Sequence, residues 1–208
     1  MASSISWRLA ARCFGLALTL VGFGAACGAA KAAGASMTVG GPTTQPVGHF
    51  DFCKTHAGEC SIRSPNSKPE HLTNVLLRRI SSVNKSVNTR VKPMEDIDHY
   101  GKDEVWAYPD DGYGDCEDYV LEKRRTLAKS GVAVANLLIT VVRKRNGEGH
   151  SVLTIRTDRG DIVLDNLSDK VLLWNQTGYR YMKRQSSENT GRWVSIRGGD
   201  EALVSSVQ

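Results

Sequence analysis

Three apolar, largely β-branched runs lie close together in the second half of the chain: residues 137–143 (LLITVVR), 150–157 (HSVLTIRT) and 162–165 (IVLD). Two turn signals separate them, Asn146-Gly147-Glu148-Gly149 and Asp158-Arg159-Gly160-Asp161. Strand-favouring residues joined by connections this short favour antiparallel pairing, because a parallel crossover needs a dozen or more residues. Trp174, Tyr179, Tyr181 and Met182 are candidates for further strands, and Trp193-Val194-Ser195-Ile196 for an edge strand.

Upstream the period lengthens. Leu72, Val75, Leu76, Ile80, Val83 and Val87 form a one-sided apolar stripe. It predicts an amphipathic helix that starts near Ser67-Lys68-Pro69-Glu70 and runs to about Asn88. A second helix is expected from Cys116 to Lys129, with Val120, Leu121, Leu127 and Ala128 on one side, basic residues near its end and Gly131 as its stop. Between them, Val91 to Pro109 is loop-rich. It sets aromatic Tyr100, Trp106 and Tyr108 among acidic Asp96, Asp98, Asp103 and Glu104. The sum is an α+β fold, with N-terminal helices packed on an antiparallel β-sheet. No internal repeat is evident.

The first 33 residues read as a secretory signal peptide rather than as part of that fold. Arg8 and Arg12 precede an apolar run from Cys13 to Phe23, and an Ala-rich cleavage zone reaches Ala35. The run is short for a membrane span, although a retained anchor is the alternative. Residues 34–49 then read as a flexible lead-in, rich in Gly, Pro and Thr, and residues 50–208 as one domain. The signal carries Arg8, Arg12 and Lys31 and no acid, so the formal charge of +5 falls by three to +2 without it. A near-neutral chain gives little support to a nucleic-acid partner. Export also permits disulfides. Of five cysteines, Cys53, Cys60 and Cys116 lie beyond the signal. Cys53 and Cys60 can close a short loop. A Cys/His metal knot through His56 is the alternative, with ligands few and crowded. Cys116 is then the odd thiol, either reactive or an intermolecular bridge.

Gly112-Tyr113-Gly114-Asp115-Cys116-Glu117-Asp118-Tyr119 places that thiol at a helix N-terminus behind a glycine loop. Unpaired N–H groups and the helix dipole favour an anion there, and a thiolate is one. His150 opens the second strand of the sheet and Asp165 closes the third. In antiparallel neighbours the start of one strand lies beside the end of the next. Imidazole and carboxylate can then meet at one rim, and a helix across the sheet can present Cys116 to it. A histidine takes the thiol proton, and a carboxylate holds the imidazole and stabilises its charged form. Singly, each residue has a plainer reading: a buried thiol, a surface histidine, a turn-forming Asp165-Asn166.

Gly114-Asp115-Cys116-Glu117-Asp118-Tyr119, His150-Ser151-Val152-Leu153 and Leu164-Asp165-Asn166-Leu167 together resemble the bacterial transglutaminase-like cysteine proteinases, the group that includes the LapG-type periplasmic proteases. Cys53 and Cys60, Asn84 and Asn88, and Trp106 agree with it, so the likeness spans about Phe50 to Tyr181. The resemblance implies a papain/transglutaminase-like fold and a Cys116–His150–Asp165 triad acting through an acyl-enzyme. It also implies a periplasmic location and a protein substrate, a large surface adhesin cleaved near an Ala-Ala pair. An inner-membrane receptor for cyclic di-GMP is the implied partner that sequesters the protease.

Three acids beside the thiol pose a physical problem, because negative charge raises a thiol pKa. A divalent cation on those acids removes the conflict, and Ca²⁺ suits hard oxygen ligands. The LapG-type resemblance implies calcium at Asp115 and Glu117, with Asp118 a further candidate. The plainer reading is that the acids only favour the helix N-terminus. No organic cofactor is expected. The oxyanion donors expected are the Cys116 N–H and a side chain, Trp106 or Tyr113. The same triad could instead serve a transglutaminase or other acyl transferase, and the same fold a non-catalytic binding module.

Overall fold

The computed structural model describes residues 35–197; the expected signal at 1–33 lies outside them. In chain order these residues form β1 (Val39–Thr43), α1 (Val47–Thr55), α2 (Ala57–Cys60), α3 (Asn74–Arg90), β2 (Lys92–Pro93), α4 (Asp96–Tyr100), β3 (Tyr113–Gly114) and α5 (Cys116–Lys129). The strands β4 (Leu137–Arg143), β5 (Gly149–Thr157), β6 (Gly160–Asp165), β7 (Ser168–Leu173), β8 (Arg180–Gln185) and β9 (Trp193–Ile196) complete it. No described helix is long and apolar enough to cross a membrane.

Seven strands make one sheet in the order β1-β9-β8-β4-β5-β6-β7, and every pairing in it is antiparallel. The three runs first read as strands are its central members. Helices α3 and α5 pack on the sheet. Leu137, Ile139, Val141, Leu153, Ile155, Ile162 and Leu164 join Ile80, Val120, Leu121 and Leu127 in one core. The alternate residues Val142, Val152 and Val163 join Tyr181 and Ile196 in a second. Side chains alternate between faces along a strand, so these clusters lie on opposite sides of the sheet. Burial on both sides is why the strands read as continuous apolar runs rather than alternating ones.

The described part of the expected lead-in at 34–49, residues 35–49, is built into the fold. Val39–Thr43 is the edge strand β1, paired with β9, and α1 begins at Val47. The Gly and Pro content that suggested a loop is what this edge requires. A Cβ on Gly40 would lie 2.3 Å from Ser195 Oγ, and Pro42 is tolerated because an edge strand has a free side. It follows that 193–196 is an interior strand with β1 beyond it. The first long helix also starts later than its proline suggested. Thr73 caps it by accepting a hydrogen bond from the Leu76 N–H at 3.1 Å. Glu70 is instead extended, its N–H donating to Arg156 O and its carbonyl accepting from Asp158 N–H. Val75 is 60% exposed, so the buried stripe is Ile80, Asn84 and Val87.

Cys53 and Cys60 are joined, with an S–S distance of 2.03 Å. The neighbouring imidazole is His49, whose ring nitrogens lie 3.7 to 3.9 Å from the sulfurs. His56 stacks on Phe52 instead. With both sulfurs in the disulfide, neither is a thiolate available to a metal.

Candidate active site

Cys116 is the first residue of α5, and the loop before it is held by a short parallel bridge. Lys92 pairs with Tyr113 and Pro93 with Gly114. Gly114 is needed because a Cβ there would lie 2.7 Å from both Cβ and Oδ2 of Asp118. Asp118 is fully buried and accepts a hydrogen bond from the Ala107 N–H at 2.7 Å, fastening the Trp106 loop to the first turn of α5.

On the sheet, Leu153 pairs with Leu164. Continuing that register sets Asp165 across from Val152 and diagonal to His150, all on one face. The result is a hydrogen bond of 2.9 Å between His150 Nε2 and Asp165 Oδ1, both residues buried. A carboxylate only accepts, so Nε2 carries the proton and Nδ1 is the nitrogen that remains basic. Oδ1 also accepts from the Leu167 N–H at 3.0 Å, and Oδ2 from Tyr179 O–H at 2.5 Å. Burial pushes the Asp165 pKa up, but these hydrogen bonds outweigh it and hold the carboxyl below its ordinary range. From α3, Asn88 Nδ2 donates to Asp165 O and Asn84 Nδ2 to Ser168 O, both at 2.9 Å, clamping the turn that carries the aspartate.

Cys116 and His150 line one cavity of about 420 Å³, with Asp115, Glu117, Trp106 and Arg143 in its walls. The half-buried thiol faces the Ser151 backbone N–H and donates to Glu117 Oε2 at 2.9 Å. Burial first, and then the Glu117 charge, push its pKa well above that of a free thiol. The conflict between thiol and acids is therefore present in the folded chain.

Asp96, Asp115 and Glu117 converge, each with a carboxylate oxygen within 4.8 Å of the others. Burial and mutual repulsion push Asp115 up to about 9, and burial pushes Glu117 up to about 7. Asp96 Oδ1 and Asp115 Oδ1 are buried with no hydrogen-bond partner among the described residues. Hard oxygens, excess negative charge and unused acceptors fit a calcium ion. Asp118 is not in this cluster, although burial raises it to about 8. Asp96 was one acid among several in a loop-rich stretch, and nothing in its spacing tied it to Cys116. The β2–β3 bridge, which delivers α4 beside the thiol loop, is what ties it there. Tyr179 likewise read only as strand material.

A family model described as bacterial transglutaminase-like cysteine proteinase (BTLCP) matches residues 39–201. The chain belongs to this family. It is a cysteine peptidase, and the family match begins at β1, ahead of Phe50. Calcium-bound LapG of Legionella pneumophila shares the proteinase fold with a TM-score of 0.50 and 24% identity, over 62% of this chain and 75% of that one. EGTA-treated LapG of the same organism gives 0.50 and 26%, over 63% and 72%. A comparison with curated proteins found no match.

Proposed function

We propose that this proteinase is an exported, periplasmic endopeptidase that cleaves a large surface protein through a thioester on Cys116. The observation that carries the reading is the shared cavity. It holds Cys116 at the start of α5 and His150, whose Nε2 is engaged by Asp165. His150 Nδ1 takes the thiol proton as Sγ attacks the scissile carbonyl. Asp165 holds the imidazolium that forms. The oxyanion is met by the Cys116 backbone N–H at the helix terminus. Of the two candidate side-chain donors, Trp106 lines the cavity and has a buried Nε1 with no hydrogen-bond partner among the described residues, whereas Tyr113 is not in its walls. The proton then passes to the leaving amine, and water releases the acid product.

Asp96, Asp115 and Glu117 would hold calcium. When bound there, the ion supplies positive charge that offsets the carboxylates around the thiol. Glu117 would then have a partner other than Cys116, which would leave the thiol free to turn to His150. The LapG-type resemblance carries the finer reading: an adhesin as substrate and a cyclic di-GMP receptor as regulator. The test is cleavage of surface proteins of the source cells by purified protein, with calcium or with chelator. Loss of new N-termini in Cys116→Ala and in chelator is expected. A Cys116→Ala protein that still cleaves overturns the proposal.

A further inference from the structure

We infer that Tyr179 is a positioning residue of the active site, acting through Asp165 as a fourth member of the catalytic chain. The inference rests on the triad reading above. Tyr179 leads into β8, remote in sequence from Cys116 and His150, yet it touches two of the triad's members. Its O–H donates to Asp165 Oδ2 at 2.5 Å, and its ring meets the His150 imidazole edge-on, with centroids 5.5 Å apart.

The geometry of the carboxylate gives this contact its consequence. A carboxylate can turn about its Cβ–Cγ bond, and only one setting aims Oδ1 at His150 Nε2. Oδ1 has two donors, the His150 ring and the Leu167 N–H, both on one side of the group. Among the described residues the Tyr179 hydroxyl is the donor to Oδ2. It therefore pins the second oxygen, and the carboxylate with it, in the plane His150 needs. A hydrogen bond to a charged group is of the stronger kind, and here the accepting Asp165 is buried and Tyr179 packs against the second core cluster. The ring does a separate job. It closes one side of the imidazole, so that a side-chain flip cannot exchange Nδ1 and Nε2 without displacing it.

Tyr179→Phe separates the two jobs, keeping the ring and removing the hydroxyl. The readout needs no substrate: the second-order rate of iodoacetamide alkylation of Cys116 at pH 7.5 in excess calcium. The expected result is a roughly ten-fold or larger slowing in Tyr179→Phe, the size of a lost hydrogen bond to a charged group. Asp165→Ala should slow alkylation at least as much. In Asp165→Ala the further change Tyr179→Phe should do almost nothing, because the group through which the tyrosine acts is gone. A purely structural role would slow both backgrounds alike, and that result overturns the inference. An unchanged rate in Tyr179→Phe beside a slowed Asp165→Ala also overturns it and leaves the triad intact. An unchanged rate in Asp165→Ala overturns the triad reading itself.

Discussion

Lys123 lies on α5, is fully buried, and has an ammonium nitrogen with no hydrogen-bond partner among the described residues. Burial lowers its pKa from 10.5 to about 7, against the weaker upward pull of Asp165 and Asp169. A depression of roughly 3.5 units, at 1.36 kcal/mol per unit, corresponds to a destabilisation of about 5 kcal/mol wherever the folded amine is charged. The unfolded chain binds this proton up to about pH 10.5 and the folded chain only up to about 7. The stability of the wild type should therefore rise with pH between those values, with the cost fully present below pH 7. Lys123→Met keeps the length and apolar stem and removes the charge. It also gives up the weak contact of the ammonium with the Tyr119 ring, 5.7 Å away. A net gain of ~2 kcal/mol or more is expected at pH 6.5, shrinking steadily toward pH 10. Urea unfolding followed by tryptophan fluorescence at three pH values measures this, in excess calcium so that the acid cluster titrates equally in both proteins. A variant less stable than the wild type at pH 6.5, or an advantage that does not change with pH, refutes the argument.

Three further outcomes are expected. Burial and the neighbouring Glu117 raise Asp115 to about 9, and burial raises Glu117 to about 7, so at neutral pH the first is mostly and the second partly protonated. Calcium should then displace protons as it binds and bind more tightly as pH rises from 6 to 9. Titration calorimetry in buffers of different ionisation enthalpy reads the proton count, and a count of zero contradicts the cluster. Asp96→Asn should weaken calcium binding at least about ten-fold in the same experiment, by removing one anionic ligand. Replacing both Cys53 and Cys60 by Ser opens a loop of sequence separation 7 and should cost ~2 kcal/mol in thermal or urea unfolding. A change below a few tenths would show that the bridge constrains the unfolded chain little.

What was legible in the sequence was local. Period and turn chemistry marked β4, β5, β6 and α5 and the antiparallel order of the central strands, because side-chain burial and short connections act over a few residues. That order was enough to bring His150 and Asp165 together, since neighbouring antiparallel strands place the start of one beside the end of the next. Cys116 stood out because a glycine loop, a helix start and an odd cysteine coincide at one point. The tertiary structure decided what depends on distant partners. Val39–Thr43 looks like a linker until β9 supplies its hydrogen bonds. Asp96 becomes a candidate ligand only when the β2–β3 bridge delivers α4 to the thiol loop. Tyr179, just before β8, reaches Asp165 on β6 although β4 and β5 stand between those two strands in the sheet. Such contacts leave no periodic trace, because closing a long loop depends on the whole chain and not on the residues at its ends.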